Sequence, residues 1–77
     1  MNTLKKEILN KIRFYLATDE IKIGDDLSDY ACDSLDVFEL YTALEKDYDI
    51  NFDRMYETKV KVIIDTTLYK TIERINK

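Results

Sequence analysis

A chain of 77 residues with one glycine, Gly24, and no proline has few ways to turn sharply. Turn-rich β architectures draw heavily on those two residues, whereas helices joined by a few loops do not. The scarcity predicts an all-α fold, and the spacing of apolar residues shows where the helices lie.

From residue 2 to 17, Leu4, Ile8, Ile12 and Tyr15 recur at helical intervals, with Leu9 and Leu16 widening the stripe. Lys5, Lys6, Lys11 and Arg13 take the remaining faces, and Thr3 stands where a cap would. The stretch ATDEIKIGDDLSDYACD, residues 17 to 33, holds the glycine and many capping-type residues. It predicts a long ordered loop, pinned to the core by Ile21, Ile23, Leu27 and Tyr30.

A second helix is predicted from about Ser34 to Tyr48, with Val37, Leu40, Tyr41, Leu44 and Tyr48 on its inner face. Leu35 and Phe38 lie beside that stripe, and Asp33, Asp36, Glu39, Glu45 and Asp47 load the polar side. In the stretch 49 to 65, Ile50 and Phe52 read as core anchors. KVKVII alternates like a strand but has no second strand to pair with, so a short helix is expected within 54 to 64. The last helix is predicted over 66 to 76, with Leu68, Ile72 and Ile75 inward, Tyr69 flanking and Thr66 or Thr67 as its cap. The expected architecture is a single domain over residues 1–77. It is a small four-helix bundle of three main helices and one short helix, with a long first loop.

Composition then restricts the chemistry. Histidine is absent, which removes Ser-His and Cys-His catalysis, histidine zinc sites and the usual general base near neutral pH. A domain this small buries only about 60–65% of its unfolded surface and has no room for a deep, well-supported cleft. A non-catalytic protein is therefore expected. Cys32 is the single cysteine, so no intrachain disulfide forms and a reducing cytoplasm is the expected location. No stretch approaches the length of a membrane span, and the first residues lack the features of a signal peptide. The acidic run DDLSDYACDSLD lacks the alternate acids and sixth-position glycine of a calcium loop, so no metal site is expected. With acidic neighbours and no histidine, Cys32 reads as a small packing residue rather than a nucleophile.

The formal charge of −4 is unevenly spread. Between Asp19 and Asp49 there are eleven acids and two bases; the rest of the chain has five acids and ten bases. Such an acidic middle repels nucleic-acid phosphates and anionic membranes and attracts basic protein surfaces. The basic flanks are too dispersed for a nucleic-acid footprint. Nothing in the pattern calls for an oligomer, and a monomer is expected.

Within that acidic middle, YACDSLDVF places Ser34 between two carboxylates at the start of the second helix. Asp33 or Ser34 suits an N-cap, accepting hydrogen bonds from the first unpaired amides. The same position also suits a modified hydroxyl, because a phosphate there would face free amides and the positive end of the helix dipole. Asp33 can cap while Ser34 carries a group, so both readings stand on the residues alone.

The stretch DSLDVFELYTALEKDYDI, opening on D-S-L-D at 33 to 36, resembles the acyl carrier proteins. The likeness extends over nearly the whole chain in length, acidity, long first loop and a final helix introduced by TTL. It implies a non-enzymatic carrier. A phosphopantetheinyl transferase would attach 4′-phosphopantetheine to Ser34 through a phosphodiester, and the thiol of the arm would hold an acyl group as a thioester. The resemblance makes Asp33, Asp36, Glu39, Glu45 and Asp47 a recognition face for basic patches on acyl-loading, elongating or acyl-transferring enzymes. Leu35 and Phe38 would supply apolar contacts beside the arm. Fatty-acid or specialised acyl biosynthesis is the implied setting.

The chain also departs from the pattern. Ala31 replaces the usual glycine three residues before the serine, and Tyr30 a common leucine. Phe38 is bulkier than the usual residue, and the stretch from 51 to 65 is nearer in length to that of D-alanyl carriers. An aminoacyl carrier is thus one alternative; a helical interaction module with an acidic face and no prosthetic group is another. Asp33 argues against the peptidyl carriers, which usually have glycine or histidine there.

Overall fold

The computed structural model describes residues 3–30, 32–53 and 57–76. Three helices dominate: α1 (Thr3–Tyr15), α2 (Ser34–Tyr48) and α3 (Val60–Ile75). A 3₁₀ turn, Leu27–Tyr30, lies within the long loop between α1 and α2. This is the expected all-α fold with three main helices and one short one, but the short element sits in the first loop. The helix expected within 54 to 64 does not form separately: residues 54–56 lie outside the described set, and 60–64 are already the first turns of α3.

Each helix end follows from local chemistry. α1 closes with Ala17 in the left-handed region (φ 52°), while Thr18 N–H bonds the Arg13 carbonyl at 3.0 Å and Ala17 N–H bonds that of Phe14 at 3.2 Å. This is the Schellman arrangement, made here without glycine. α2 ends at Asp49, also left-handed, a conformation that aspartate tolerates better than most side chains. Arg74 Nε donates to the Tyr48 carbonyl at 3.0 Å, placing a cation at the negative end of α2. At the start of α3 the N-cap, Lys59, offers no side-chain acceptor, and the Glu57 carboxylate takes the Thr58 and Lys59 amides instead, at 3.0 and 3.1 Å.

The core gathers Ile8 and Ile12 of α1, Ile21 and Leu27 of the loop, and the predicted α2 stripe from Val37 to Tyr48. Phe52, Val60, Ile63 and Ile64 complete it. α3 departs from expectation. Ile72 is 45% exposed and Ile75 65%, and the buried face runs instead through Val60, Ile63, Ile64, Thr67 and Thr71. The early start at Val60 explains the shift, because the aliphatic run KVKVII supplies the inner face in helical form. Thr67 and Thr71 are not caps. Their hydroxyls donate to the carbonyls of Ile63 and Thr67, each at 2.7 Å, so their methyl groups can face the core without an unpaired polar atom.

The segment before α3 is pinned to the first loop. Leu27 N–H donates to the Thr58 carbonyl at 2.8 Å, and Val60 N–H to that of Asp25 at 2.9 Å, around a single antiparallel bridge between Asp26 and Lys59. The strand-like alternation thus yields one bridge and no named strand among the described residues. From α2, the Tyr41 hydroxyl donates to the Glu57 carbonyl, and its ring meets Phe52 edge-on at 4.8 Å.

Candidate functional site

Asp33 is the residue that caps α2. Its extended backbone turns the chain into the helix, and its carboxylate accepts the Asp36 amide at 2.9 Å. Asp36 returns the bond, its carboxylate accepting the Asp33 amide at 3.2 Å, so the pair forms a complete capping box. Ser34 is the first helical residue; it is exposed, and its hydroxyl takes part in no hydrogen bond among the described residues. The two readings of Ser34 therefore separate: the cap is Asp33, and the hydroxyl is not used for capping.

A groove of about 530 Å³ opens beside that hydroxyl, between α2 and the two segments joined by the Asp26–Lys59 bridge. Cys32, Asp33, Ser34, Val37 and Phe38 line one side, and Ser28 and Thr58 the other. Ser28 is held by Asp26, whose carboxylate accepts its amide at 2.9 Å and its hydroxyl at 2.8 Å. Those bonds, the Ser28 amide foremost, hold the Asp26 carboxyl below its ordinary range. Thr58 is fixed through its carbonyl by Leu27, as above. Thr58 carries no sequence signal, because only the fold brings it opposite α2. Val37 was legible only as a core position.

Cys32 lies in this groove with its Sγ 3.7 Å from the Tyr30 carbonyl. Burial pushes its thiol up, with Asp36 and then Asp33 adding to the effect, so it stays protonated near neutral pH. It forms part of the wall of the groove. Tyr30, beyond it, donates its hydroxyl to Asp25. Ala31, the departure named above, lies outside the described residues.

The expected partner-binding residues fall into two groups. Asp33, Leu35, Asp36, Phe38 and Glu39 share the first turns of α2, where Leu35 is 61% and Phe38 52% exposed. Large apolar side chains at such exposure beside carboxylates make an amphipathic surface next to Ser34. Glu45 and Asp47 sit near the other end of the helix and are engaged within the fold. Glu45 accepts the Phe52 amide at 2.9 Å. Asp47 accepts from Tyr15 at 2.5 Å and Lys11 at 3.2 Å, and the Tyr15 bond is the main cause that holds its carboxyl below the ordinary range.

Chemically, the site offers a solvent-facing hydroxyl at the positive end of a 15-residue helix, a partly apolar groove beside it and a mixed acidic and apolar rim. Among the described residues no helix is long and apolar enough to cross a membrane. A scan against protein-family models matches residues 6–59 to the family described as phosphopantetheine attachment site. Comparison with curated proteins and with solved structures gives no significant match.

Proposed function

Because the chain belongs to the phosphopantetheine attachment site family, a family of carriers whose domain is the site of covalent 4′-phosphopantetheine attachment, we propose that Ser34 is the attachment point and that the cargo is an acyl group. The observation that carries this reading is the division of labour at the start of α2, where Asp33 caps and Ser34 is exposed, its hydroxyl in no hydrogen bond among the described residues. The residues present fit the group. A phosphate ester on Ser34 lies at a helix N-terminus, which favours anions. The neighbouring carboxylates are turned to each other's amides, which moderates their repulsion of that phosphate. The groove beside Ser34 gives an extended arm a partly apolar wall.

When bound, the arm supplies a thiol that holds an acyl group as a thioester. The chain's own residues orient and present it. The capping box fixes the first turn of α2, and the exposed Leu35, Phe38 and Glu39, with the half-buried Asp36, form the surface on which enzymes with basic patches dock. Such exchange suits modest interfaces with electrostatically assisted encounter. The protein itself performs no bond chemistry in this reading.

Incubation with coenzyme A and a phosphopantetheinyl transferase, followed by intact-mass measurement, tests the attachment. The mass of one arm is expected on the native chain and none on Ser34→Ala; an arm that persists in Ser34→Ala overturns the assignment. Offering the modified protein to acyl-loading and aminoacyl-adenylating enzymes then tests the cargo. Acyl loading is expected; loading by the adenylating enzyme alone replaces the acyl reading with the aminoacyl one.

A further inference from the structure

On an otherwise acidic molecule, α1 and the first loop enclose a groove of about 340 Å³ with a cationic rim. Its floor is Leu9 and Ile23, and its rim is Lys5, Lys6, Arg13 and Lys22. Ile23 was expected to anchor the loop in the core, yet it is 44% exposed and faces this groove. Arg13 is held in place, its Nε donating to the Ile21 carbonyl at 2.7 Å and one terminal nitrogen to Asn10 Oδ1 at 3.2 Å. Lys5 makes a solvent-exposed pair with Asp65 at 3.6 Å, and among the described residues Lys6 and Lys22 are in no ion pair. A pre-positioned guanidinium, the ammoniums of Lys6 and Lys22 and a partly exposed apolar floor suit an apolar side chain flanked by carboxylates.

The same molecule displays that combination elsewhere. On α2, Leu35 and Phe38 project beside Asp36 and Glu39. The groove and the α2 surface share no residues, and among the described residues no ion pair joins them within the monomer. We propose that the α1–loop groove binds the acidic, apolar start of α2 from a second copy of this chain, in a head-to-tail contact. Polyanions fit less well, since a nucleic-acid backbone has no use for an apolar floor and the acidic middle of the chain repels it. A flat lipid surface matches a concave groove poorly. Made once between two copies, the contact is heterologous and leaves one groove and one α2 face free to add further copies. A net charge of −4 on every copy keeps it weak and reversible. It also covers the surface beside Ser34, so self-association and docking of other proteins on α2 exclude each other.

Sedimentation velocity of the unmodified protein over a concentration series tests this, without reference to the arm. Association is expected at about 0.01 M salt, where charges are screened over about 30 Å, and loss of it at about 1 M salt, where the length is about 3 Å. The double variant Lys6→Glu/Lys22→Glu is expected to be monomeric, and so is Asp36→Lys/Glu39→Lys. Mixing the two variants is expected to restore association, because each then meets a groove or face of opposite charge. Circular dichroism checks that each is folded, and Glu39→Lys alone, weakened on the order of tenfold, stands in if the double reversal of α2 is not. A native protein that stays monomeric at low salt overturns the proposal. So does association untouched by either variant, a mixture that fails to associate, or lysine variants that change only binding to anionic phosphatidylserine vesicles.

Discussion

Asp33 and Asp36 accept each other's backbone amides across the first turn of α2, and the exposed hydroxyl between them, that of Ser34, is left out of the exchange. The stability of the helix start and the availability of the hydroxyl thus rest on different side chains. Replacing a capping aspartate by alanine removes an acceptor for an otherwise orphan amide and costs about 1 kcal/mol, whereas asparagine retains the bond. Urea unfolding is expected to place Asp33→Ala about 1 kcal/mol below the native chain and Asp33→Asn within a few tenths. Ser34→Ala is expected within about 0.5 kcal/mol. A loss for Ser34→Ala equal to that for Asp33→Ala would mean that the serine is the cap.

Tyr41 ties α2 to the segment that forms the far wall of the groove. Its ring is buried against Phe52, and its hydroxyl meets the Glu57 carbonyl. Removing the hydroxyl leaves that carbonyl without this donor, a cost of about 1 kcal/mol. In a domain of this size that lowers Tm by about 4–8 °C. Tyr41→Ala removes the ring as well and is expected to cost about 3–5 kcal/mol. Thermal unfolding of both variants measures the two steps separately, and a Tyr41→Phe variant as stable as the native chain would remove the tie.

The hydrogen bond from Tyr30 to Asp25 links stability to pH at both ends. It lowers the Asp25 carboxyl below its ordinary value of 3.8 and raises the Tyr30 phenol from 10.0 to about 12. A depressed carboxyl contributes stability in full above its unfolded pKa of about 4, and that contribution is lost as pH falls. A raised phenol contributes in full below about 10, and its share is lost as pH rises from there toward about 12. Asp26 and Asp47 are lowered as well and steepen the acid limb. Tm measured against pH is expected to be flat from about 4 to about 9, where the raised Cys32 thiol begins to add its own loss, and to fall outside those limits. Tyr30→Phe should shrink both limbs; unchanged limbs would show that the bond carries no linkage.

The α2 stripe was legible because it obeys periodicity, capping rules narrowed the helix start to Asp33 or Ser34, and the contact role of Leu35 and Phe38 came from the family resemblance. The inner face of α3 was not. Thr67 reads as a cap and Thr71 carries no signal until their hydroxyls are seen to bond carbonyls one turn back. The alternating KVKVII read as strand-like because periodicity over so few residues does not separate strand from buried helix. Glu57 caps α3 from outside it, an arrangement that the order of residues does not announce. The Ser34 groove was half legible: its α2 side follows from the helix, while Thr58 arrives through the Asp26–Lys59 bridge.

If enzymes dock on the first turns of α2, their encounter rate depends on charge. Asp36→Lys/Glu39→Lys is expected to slow acyl loading by a basic partner on the order of tenfold at low salt, with the difference closing as salt screens the surface. Stopped-flow loading of the arm-bearing protein at two ionic strengths measures it, and equal rates for native and variant at low salt would place docking elsewhere.

The chain's only glycine does not occupy any of its left-handed positions. Gly24 has no positive φ, and a Cβ built on it meets no atom within 4 Å. Ala17, at the Schellman position after α1, has φ 52°. A side chain at Gly24 costs nothing in the folded state and restricts the unfolded chain, so Gly24→Ala is expected to stabilise by about 0.4–1 kcal/mol. Ala17→Gly works in the opposite sense on the unfolded chain but relieves about 1–2 kcal/mol of left-handed strain. Its net effect is therefore a gain of up to about 1 kcal/mol. The two sites share no hydrogen-bond partner among the described residues, so the double variant should add the single effects to within about 0.5 kcal/mol. Urea unfolding of the three variants decides the matter, and a destabilised Gly24→Ala would mean that the loop needs the freedom only glycine has.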